Sequence, residues 1–260
     1  MSLPVVPDRD LGQHFLVDEN ILGVAGRLAE LQPEDVVLEV GAGLGVLTAF
    51  LADRVRLVHA VELDRRLEPY LRDRLSGSDN VELAFGDALA LPLAELDPPA
   101  TKLVANLPYQ IATPLVAESL DGLPSIRLWC VMVQREVADR FFARPGTKSY
   151  GAVSVLVQLT AERRGSRPVA RTCFRPPPNV DSTLVAFRRR RDWGPEFALL
   201  KETVQAGFAH RRKTLVNSFE LAGVPPGRAR PALTELQISP SARAESLAPE
   251  QFLRLAALLG

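Results

Sequence analysis

The sequence predicts an α/β chain with a doubly wound, mostly parallel, Rossmann-like sheet, followed by a small all-helical domain. Three observations carry this. Short β-branched runs alternate with longer helical patterns over roughly the first 130 residues, the signature of a parallel sheet with helices on both faces. A glycine-rich turn, Gly41-Ala42-Gly43-Leu44-Gly45, stands between the first such run and the next helical stretch. Strand patterns then cease from Trp193 onward.

Taken in order, Val36-Val37-Leu38-Glu39-Val40 reads as a buried strand ending at Gly41, and residues 45–53 as a helix. Residues 57–61 form a second strand and 65–75 a charged helix. A third strand at 81–84 leads into Phe85-Gly86-Asp87, and a fourth at 102–105 ends at Asn106. Residues 112–120 are helical and 126–133 form a fifth strand. Two further helices, 134–143 and 150–160, are separated by Pro145-Gly146. Pro176-Pro177-Pro178 bars regular structure, and Leu184 to Phe187 supplies one more strand. Three or four helical segments follow, interrupted at residues 223–227 and at Ser239-Pro240. The expected division is therefore 1–191 for the α/β domain and 192–260 for the helical one.

Composition excludes several classes. Hydrophobic residues make up 47% and charged residues 24% of the 260, ordinary globular values. Cys130 and Cys173 are too few and too far apart for a disulfide framework or a zinc site. The opening MSLPVVPDRD lacks the apolar run of a signal peptide, and no apolar stretch reaches the roughly 18 residues that span a bilayer. The expectation is a cytoplasmic protein with no membrane partner. The formal net charge is zero, but it is unevenly spread. Residues 31–100 carry thirteen acids against six Arg or Lys, whereas 161–191 carry nine Arg against two acids. The basic pole can bind a polyanion; equally, Arg188 to Arg191 can act as gatekeepers that close a hydrophobic strand.

The chemistry gathers at the ends of the predicted strands. A turn without β-carbons lets backbone approach a ligand closely. Glu62, ending the second strand, is placed to accept from two ribose hydroxyls, and Asp87, after the third, from an adenine amine. All these positions fall on the carboxyl edge of the sheet, where open α/β folds bind ligands. The spacing G-x-G-x-G leans away from a nicotinamide dinucleotide, and the fourth strand points to S-adenosylmethionine because it ends in Asn106-Leu107-Pro108-Tyr109. An adenine amine is a poor nucleophile, its lone pair delocalised into the ring. The Asn106 side-chain oxygen and a backbone carbonyl near Leu107 would hold its two hydrogens and turn the lone pair toward a methyl sulfonium. Pro108 stiffens the turn, and Tyr109 offers a face for stacking. Catalysis by orientation and electrostatics needs no metal.

With these residues in hand, the chain resembles the ribosomal RNA adenine dimethyltransferases. The matching blocks are LGQHFLVDENIL, LEVGAGLGVLT, AVELD, GDAL, NLPYQIATPL, MVQREVADR, SYGAVSVLVQ, FRPPPNVDSTLV and FAHRRKTLVNSF, running from about Leu11 to Gly260. The resemblance implies a class I methyltransferase that moves methyl groups from S-adenosylmethionine to ribosomal adenines. It is closer to the branch that dimethylates two adjacent adenines near the end of small-subunit RNA than to the macrolide-resistance enzymes of large-subunit RNA. It implies cofactor contacts at His14, Leu16, Gly41, Gly43, Glu62, Asp87 and Asn106, and a target-base site at Asn106, Leu107, Pro108 and Tyr109. Phe174 would stack on the other face of a flipped adenine. Arg211, Arg212 and Lys213 match a basic stretch that contacts phosphates. The implied partner is ribosomal RNA in an assembling small subunit, met by a monomer. Two departures stand out. Pro7-Asp8-Arg9-Asp10 replaces the basic arm common in the family, which shifts RNA binding toward residues 163–191 and 211–213. Gln110 stands where many relatives have Asn, at the pocket rim. The alternatives are a large-subunit enzyme, a non-catalytic RNA-binding assembly factor on the same fold, and a different amine substrate such as DNA adenine or a protein glutamine.

Overall fold

The computed structural model describes residues 5–8 and 11–260. Residues 1–4, Arg9 and Asp10 lie outside the described residues, and with them part of the MSLPVVPDRD segment considered above. The chain runs β1 Phe15–Leu16, α1 Glu19–Leu28, β2 Val36–Val40, α2 Val46–Ala52, β3 Leu57–Glu62, α3 Glu68–Arg74, β4 Val81–Phe85, β5 Lys102–Asn106, α4 Ala112–Gly122, β6 Leu128–Gln134, α5 Arg135–Phe141, α6 Ala152–Thr160, β7 Ala161–Val169, β8 Phe174–Arg175, β9 Ser182–Arg189, α7 Glu196–Ala209, α8 Leu215–Leu221, α9 Pro226–Glu235 and α10 Pro249–Leu259.

Seven strands form one sheet in the order β4-β3-β2-β5-β6-β9-β7. The first five are mutually parallel, and β9 runs antiparallel to β6. The order turns outward in both directions from β2, so β2 and β5 flank the topological switch point, where a crevice opens above the carboxyl ends. The run Val36-Val37-Leu38-Glu39-Val40 is buried at every position because helices cover both faces. The predicted helix over 65–75 divides: Arg65–Leu67 form a 3₁₀ turn whose cap is Asp64, accepting from Arg66 N at 3.0 Å, and α3 follows.

Three elements escape the sequence pattern. Helix α1 starts at Asp18, whose carboxylate accepts from Asn20 N at 2.9 Å. Strand β7 is mostly exposed and carries a glycine and a proline; as the edge strand beside β9 it needs no alternating pattern. The pair β1–β8 exists only by its antiparallel register, Phe15 with Arg175 and Leu16 with Phe174. The break expected over residues 223–227 also contains the start of α9, with proline in its first turn.

Packing groups the chain into two compact units. The segment through Ala138 joins Arg163–Arg189 in one, and Asp139–Glu162 joins Arg190–Gly260 in the other. The sequence pattern places one boundary near Arg191. The chain instead passes from unit to unit three times, because α6 buries its apolar residues in a cluster with α7 and α10. Within that unit Tyr150 donates to Leu247 O at 2.8 Å, and Phe208 stacks on Phe252.

The edge opposite the crevice is held by charge. Lys102 at the start of β5 pairs with Asp35 at 2.6 Å and donates to Glu30 O at 2.5 Å. Asp35 also accepts from Gln32 N at 2.7 Å and Thr101 Oγ1 at 3.2 Å. Both side chains are about nine-tenths buried. Removing one member strands the other in low dielectric. Asp35→Ala should therefore lower stability by about 3–5 kcal/mol in urea denaturation, whereas Asp35→Leu with Lys102→Met should recover most of the loss. An unchanged midpoint for the single variant would show that the pair contributes nothing.

Candidate active site

The crevice above the switch point is a cleft of about 290 Å³, and its floor is the glycine-rich turn after β2. Gly41 and Ala42 N–H groups both reach back to Val61 O, at 2.8 and 3.2 Å, folding the turn over the end of β3. Gly41 has φ +83°, and a β-carbon there would lie 3.0 Å from Pro108 Cδ; at Gly43, φ +59°, it would meet the Phe15 ring at 3.2 Å. Side chains at either position would fill the cleft as well as strain the backbone.

Glu62 ties this turn to the next strand. One carboxylate oxygen accepts from Gly43 N at 2.8 Å and the other from Asp64 N at 2.9 Å. Burial lifts its carboxyl above the usual range, against the pull of these two hydrogen bonds. Asp64 is held to about 2 by the Arg66 guanidinium, and it also accepts from Gln13 Nε2 at 2.8 Å. That bond anchors the segment before β1, whose residues Leu11 to Leu16 form one wall of the cleft. Asp8 fastens the same segment: its backbone exchanges hydrogen bonds with Gln13, and its carboxylate pairs with Arg66 at 3.1 Å. Among the described residues before the G-Q-x-F block, the acid that replaces a basic arm thus has a structural partner.

Asp87 is exposed on the rim. Its Oδ1 caps the following turn through Leu89 N at 2.9 Å, so it is both a turn cap and a cleft residue. Asn106 ends β5 beside Met132 of β6, and its Nδ2 donates to His14 O at 3.2 Å. A carbonyl accepts only, so this bond sets the amide's orientation and leaves Oδ1 as its unengaged acceptor. The His14 ring donates from Nδ1 to Pro176 O at 2.8 Å and lies 5.7 Å from the Tyr109 ring. Tyr109 Oη and Ser182 Oγ, at the start of β9, are 2.9 Å apart.

The structure thus brings together His14, Leu16, Gly41, Gly43, Glu62, Asp87, Asn106, Leu107, Pro108 and Tyr109, with Gln110 at the rim. Phe174 is not among the lining residues. It is 2% exposed and packed in the apolar core, because its backbone pairs with Leu16 and carries the ring beneath β1. Arg211, Arg212 and Lys213 form an exposed turn after α7. Arg211 donates to Tyr150 O at 2.8 Å and lies 3.4 Å from Glu245, so it also secures its own unit. The basic pole is thinned in the same way. Arg164 and Arg188 pair with Glu30. Arg189 is buried, donating to Ile126 O, Leu120 O and Leu123 O behind α4.

Sequence reasoning passed over Gln13, Asp64 and Ser182, which act only through partners distant in sequence. It also passed over Glu39, which lines the cleft at 1% exposure. The signal for Glu39 was available: an acid in the middle of a five-residue run buried on both faces.

Set beside known proteins, residues 8–260 match the family model described as ribosomal RNA adenine dimethylase. A ribosomal RNA small subunit methyltransferase A from Rubrobacter xylanophilus is 47% identical over 96% of this chain and 94% of that protein. Among solved structures, a dimethyladenosine transferase from Plasmodium falciparum superposes with a TM-score of 0.74 at 25% identity, over 93% of this chain and 96% of the other. The 23S rRNA methyltransferase ErmE superposes at 0.66 with 32% identity, over 94% and 99%. A doubly wound sheet with this cleft at its switch point, and a match over nearly the whole length, place the chain in the ribosomal RNA adenine dimethylase family.

Proposed function

We propose that the chain dimethylates the exocyclic amines of two adjacent adenines near the 3′ end of small-subunit ribosomal RNA, with S-adenosylmethionine as donor. The observation that carries this reading is the locked amide of Asn106, whose Oδ1 stands unengaged among the residues of the Asn-Leu-Pro-Tyr turn. The small-subunit branch is supported by the identity to the Rubrobacter protein, 47%, against 32% to ErmE.

The cleft fits the donor. Among the described residues no Lys or Arg lines it, while Glu39, Glu62 and Asp87 do, which suits a cation. The Gly41 and Gly43 turn leaves room that β-carbons would fill. Glu62 would hold the ribose hydroxyls, Asp87 the adenine amine, and the His14 and Leu16 wall the amino-acid end. When bound, S-adenosylmethionine supplies a methyl group already activated by its sulfonium. The chain's own part is orientation: Asn106 Oδ1 and a backbone carbonyl near Leu107 hold the target amine's hydrogens, and its lone pair faces the methyl group. Pro108 fixes the turn, and Tyr109, braced by Ser182, gives the base a ring face. An adenine must leave its stack to reach this depth. Phe174 supports the wall from behind β1. Arg212 and Lys213, with exposed arginines of β7, supply phosphate contacts on an assembling particle in the cytoplasm, which the protein meets as a monomer.

The deciding experiment is transfer of labelled methyl groups to small-subunit particles lacking the modification, with large-subunit particles, free RNA and DNA alongside. Dimethyladenosine in the small-subunit particle alone is expected. Label confined to large-subunit RNA would establish the macrolide-resistance type, and no label despite cofactor binding would establish a binding factor.

Three variants probe the parts. Asn106→Ala should keep cofactor affinity yet lose at least about a hundredfold in turnover, the scale of one oriented polar group; full turnover would remove Asn106 from the mechanism. Glu62→Ala should weaken S-adenosylmethionine binding by about 1–3 kcal/mol in calorimetry, through lost charge-assisted hydrogen bonds. Unaltered affinity would refute the ribose contact. Arg212→Ala with Lys213→Ala should lower RNA affinity and reduce the slope of log K against log salt by about 1–2. If the slope stays, both residues face solvent alone.

A further inference from the structure

Glu39 is a charge-bearing group in the cleft to which the proposed chemistry assigns no contact of its own. It sits at the fourth position of β2, 1% exposed, and lines the cleft floor. Its Oε2 has no hydrogen-bond partner among the described residues, and Thr48 Oγ1 of α2 is likewise buried without one. Among the described residues, the charged groups around it offer no free cation. From β3 comes Glu62, a second acid. Helix α2, Val-Leu-Thr-Ala-Phe-Leu-Ala, has no ionisable residue. On β5, Lys102 lies two residues back along the register and is committed to Asp35. Across the cleft stand Asp87 and His14. A carboxylate in that position has no counter-charge among the described residues, and the nearby Thr48 hydroxyl offsets only part of the cost of charge in low dielectric. The ligand-free site therefore favours the neutral acid: burial pushes the Glu39 carboxyl up to about 8 against the pull of the Thr48 hydroxyl, and the Glu62 charge adds to the rise.

Resting on the cofactor reading above, we propose that Glu39 holds a proton in the empty cleft and releases it to solvent as the cationic methyl donor binds, so that the proton and the donor's positive charge exchange places. One O–H bond is broken, the electron pair stays on the carboxylate, and no oxidant or further reactant is involved. Glu39 is thus a positioning and specificity residue: it favours the sulfonium donor over the neutral thioether product, which leaves the carboxylate facing one positive charge fewer and ready to take its proton back. An enzyme that adds two methyl groups to each amine must exchange product for donor repeatedly, and this device aids that exchange.

The sign follows from linkage. Below the empty-site value, binding must expel the proton, so affinity rises with pH by up to about tenfold per unit and flattens above it. Calorimetric titration of S-adenosylmethionine from pH 6 to 8.5, in phosphate and in Tris, reads affinity and proton release together. Near one proton should be released at pH 7, fewer with S-adenosylhomocysteine, and none in Glu39→Gln, whose affinity should be nearly flat with pH. Normal binding without proton release, or a Glu39→Gln variant that keeps the slope, would overturn the inference. A ¹³C titration of the Glu39 carboxyl in the ligand-free protein, assigned by its loss in Glu39→Gln, stands apart from the cofactor. A midpoint well above the usual carboxylate range supports the proposal, and a midpoint within that range refutes it. Should S-adenosylmethionine bind at no pH, the functional reading and the exchange fall together, and the carboxyl titration still decides whether Glu39 holds its proton.

Discussion

Both oxygens of the Glu62 carboxylate accept from backbone, Gly43 N on one side and Asp64 N on the other. This double grip fixes the glycine-rich turn of β2 against the end of β3, and everything around the cleft is built out from it. Asp64, set in place by that bond, caps the turn before α3 and takes the Gln13 amide. Gln13 in turn brings the N-terminal segment across the cleft, so that His14 O reaches the Asn106 amide at the end of β5. Three strand ends and one wall are therefore joined through one short chain of hydrogen bonds. Each link is charge-assisted or made to a backbone group, which gives direction as well as strength.

The cost of this arrangement is electrostatic. The acids that shape the cleft lie close together, and among the described residues no Lys or Arg lines it to offset them. Burial first, and the neighbouring acids second, raise Glu62 and Glu39 above their ordinary range, while Asp64 is held low because Arg66 lies against it. Perturbed acids gathered in one crevice are a mark of function rather than of stability, and the fold offsets them elsewhere, at the Asp35–Lys102 pair and in the strands buried on both faces.

Arginine illustrates how far charge counts must be read through structure. The segment 161–191 has nine arginines, yet Arg189 is consumed in closing carbonyls behind α4 and Arg164 and Arg188 face Glu30. The field left for a polyanion is smaller than the sequence total. Arg211 likewise serves its own unit first, whereas Arg212 and Lys213 are exposed in the same turn.

The sequence by itself determined the parallel sheet, its order of strands and helices, and the positions where chemistry ends each strand, because period-2 and period-3.6 patterns and turn residues are local properties. Gly41, Gly43, Glu62, Asp87 and the Asn106 to Tyr109 turn were legible for that reason: in a parallel sheet every strand end falls on the same edge. What only tertiary structure decided were facts of burial and partnership. Phe174 became core because its backbone pairs with Leu16. Strand β7 formed against its local composition because β9 offered an edge. Helix α6 joined α7 and α10, which added two crossings between units upstream of the one near Arg191. Glu39 was left buried in β2 with no cation beside it among the described residues, and only the Thr48 hydroxyl eases its charge. Each of these depends on groups far apart in the chain, and no local pattern encodes which distant atom will fill or leave open a hydrogen-bonding position.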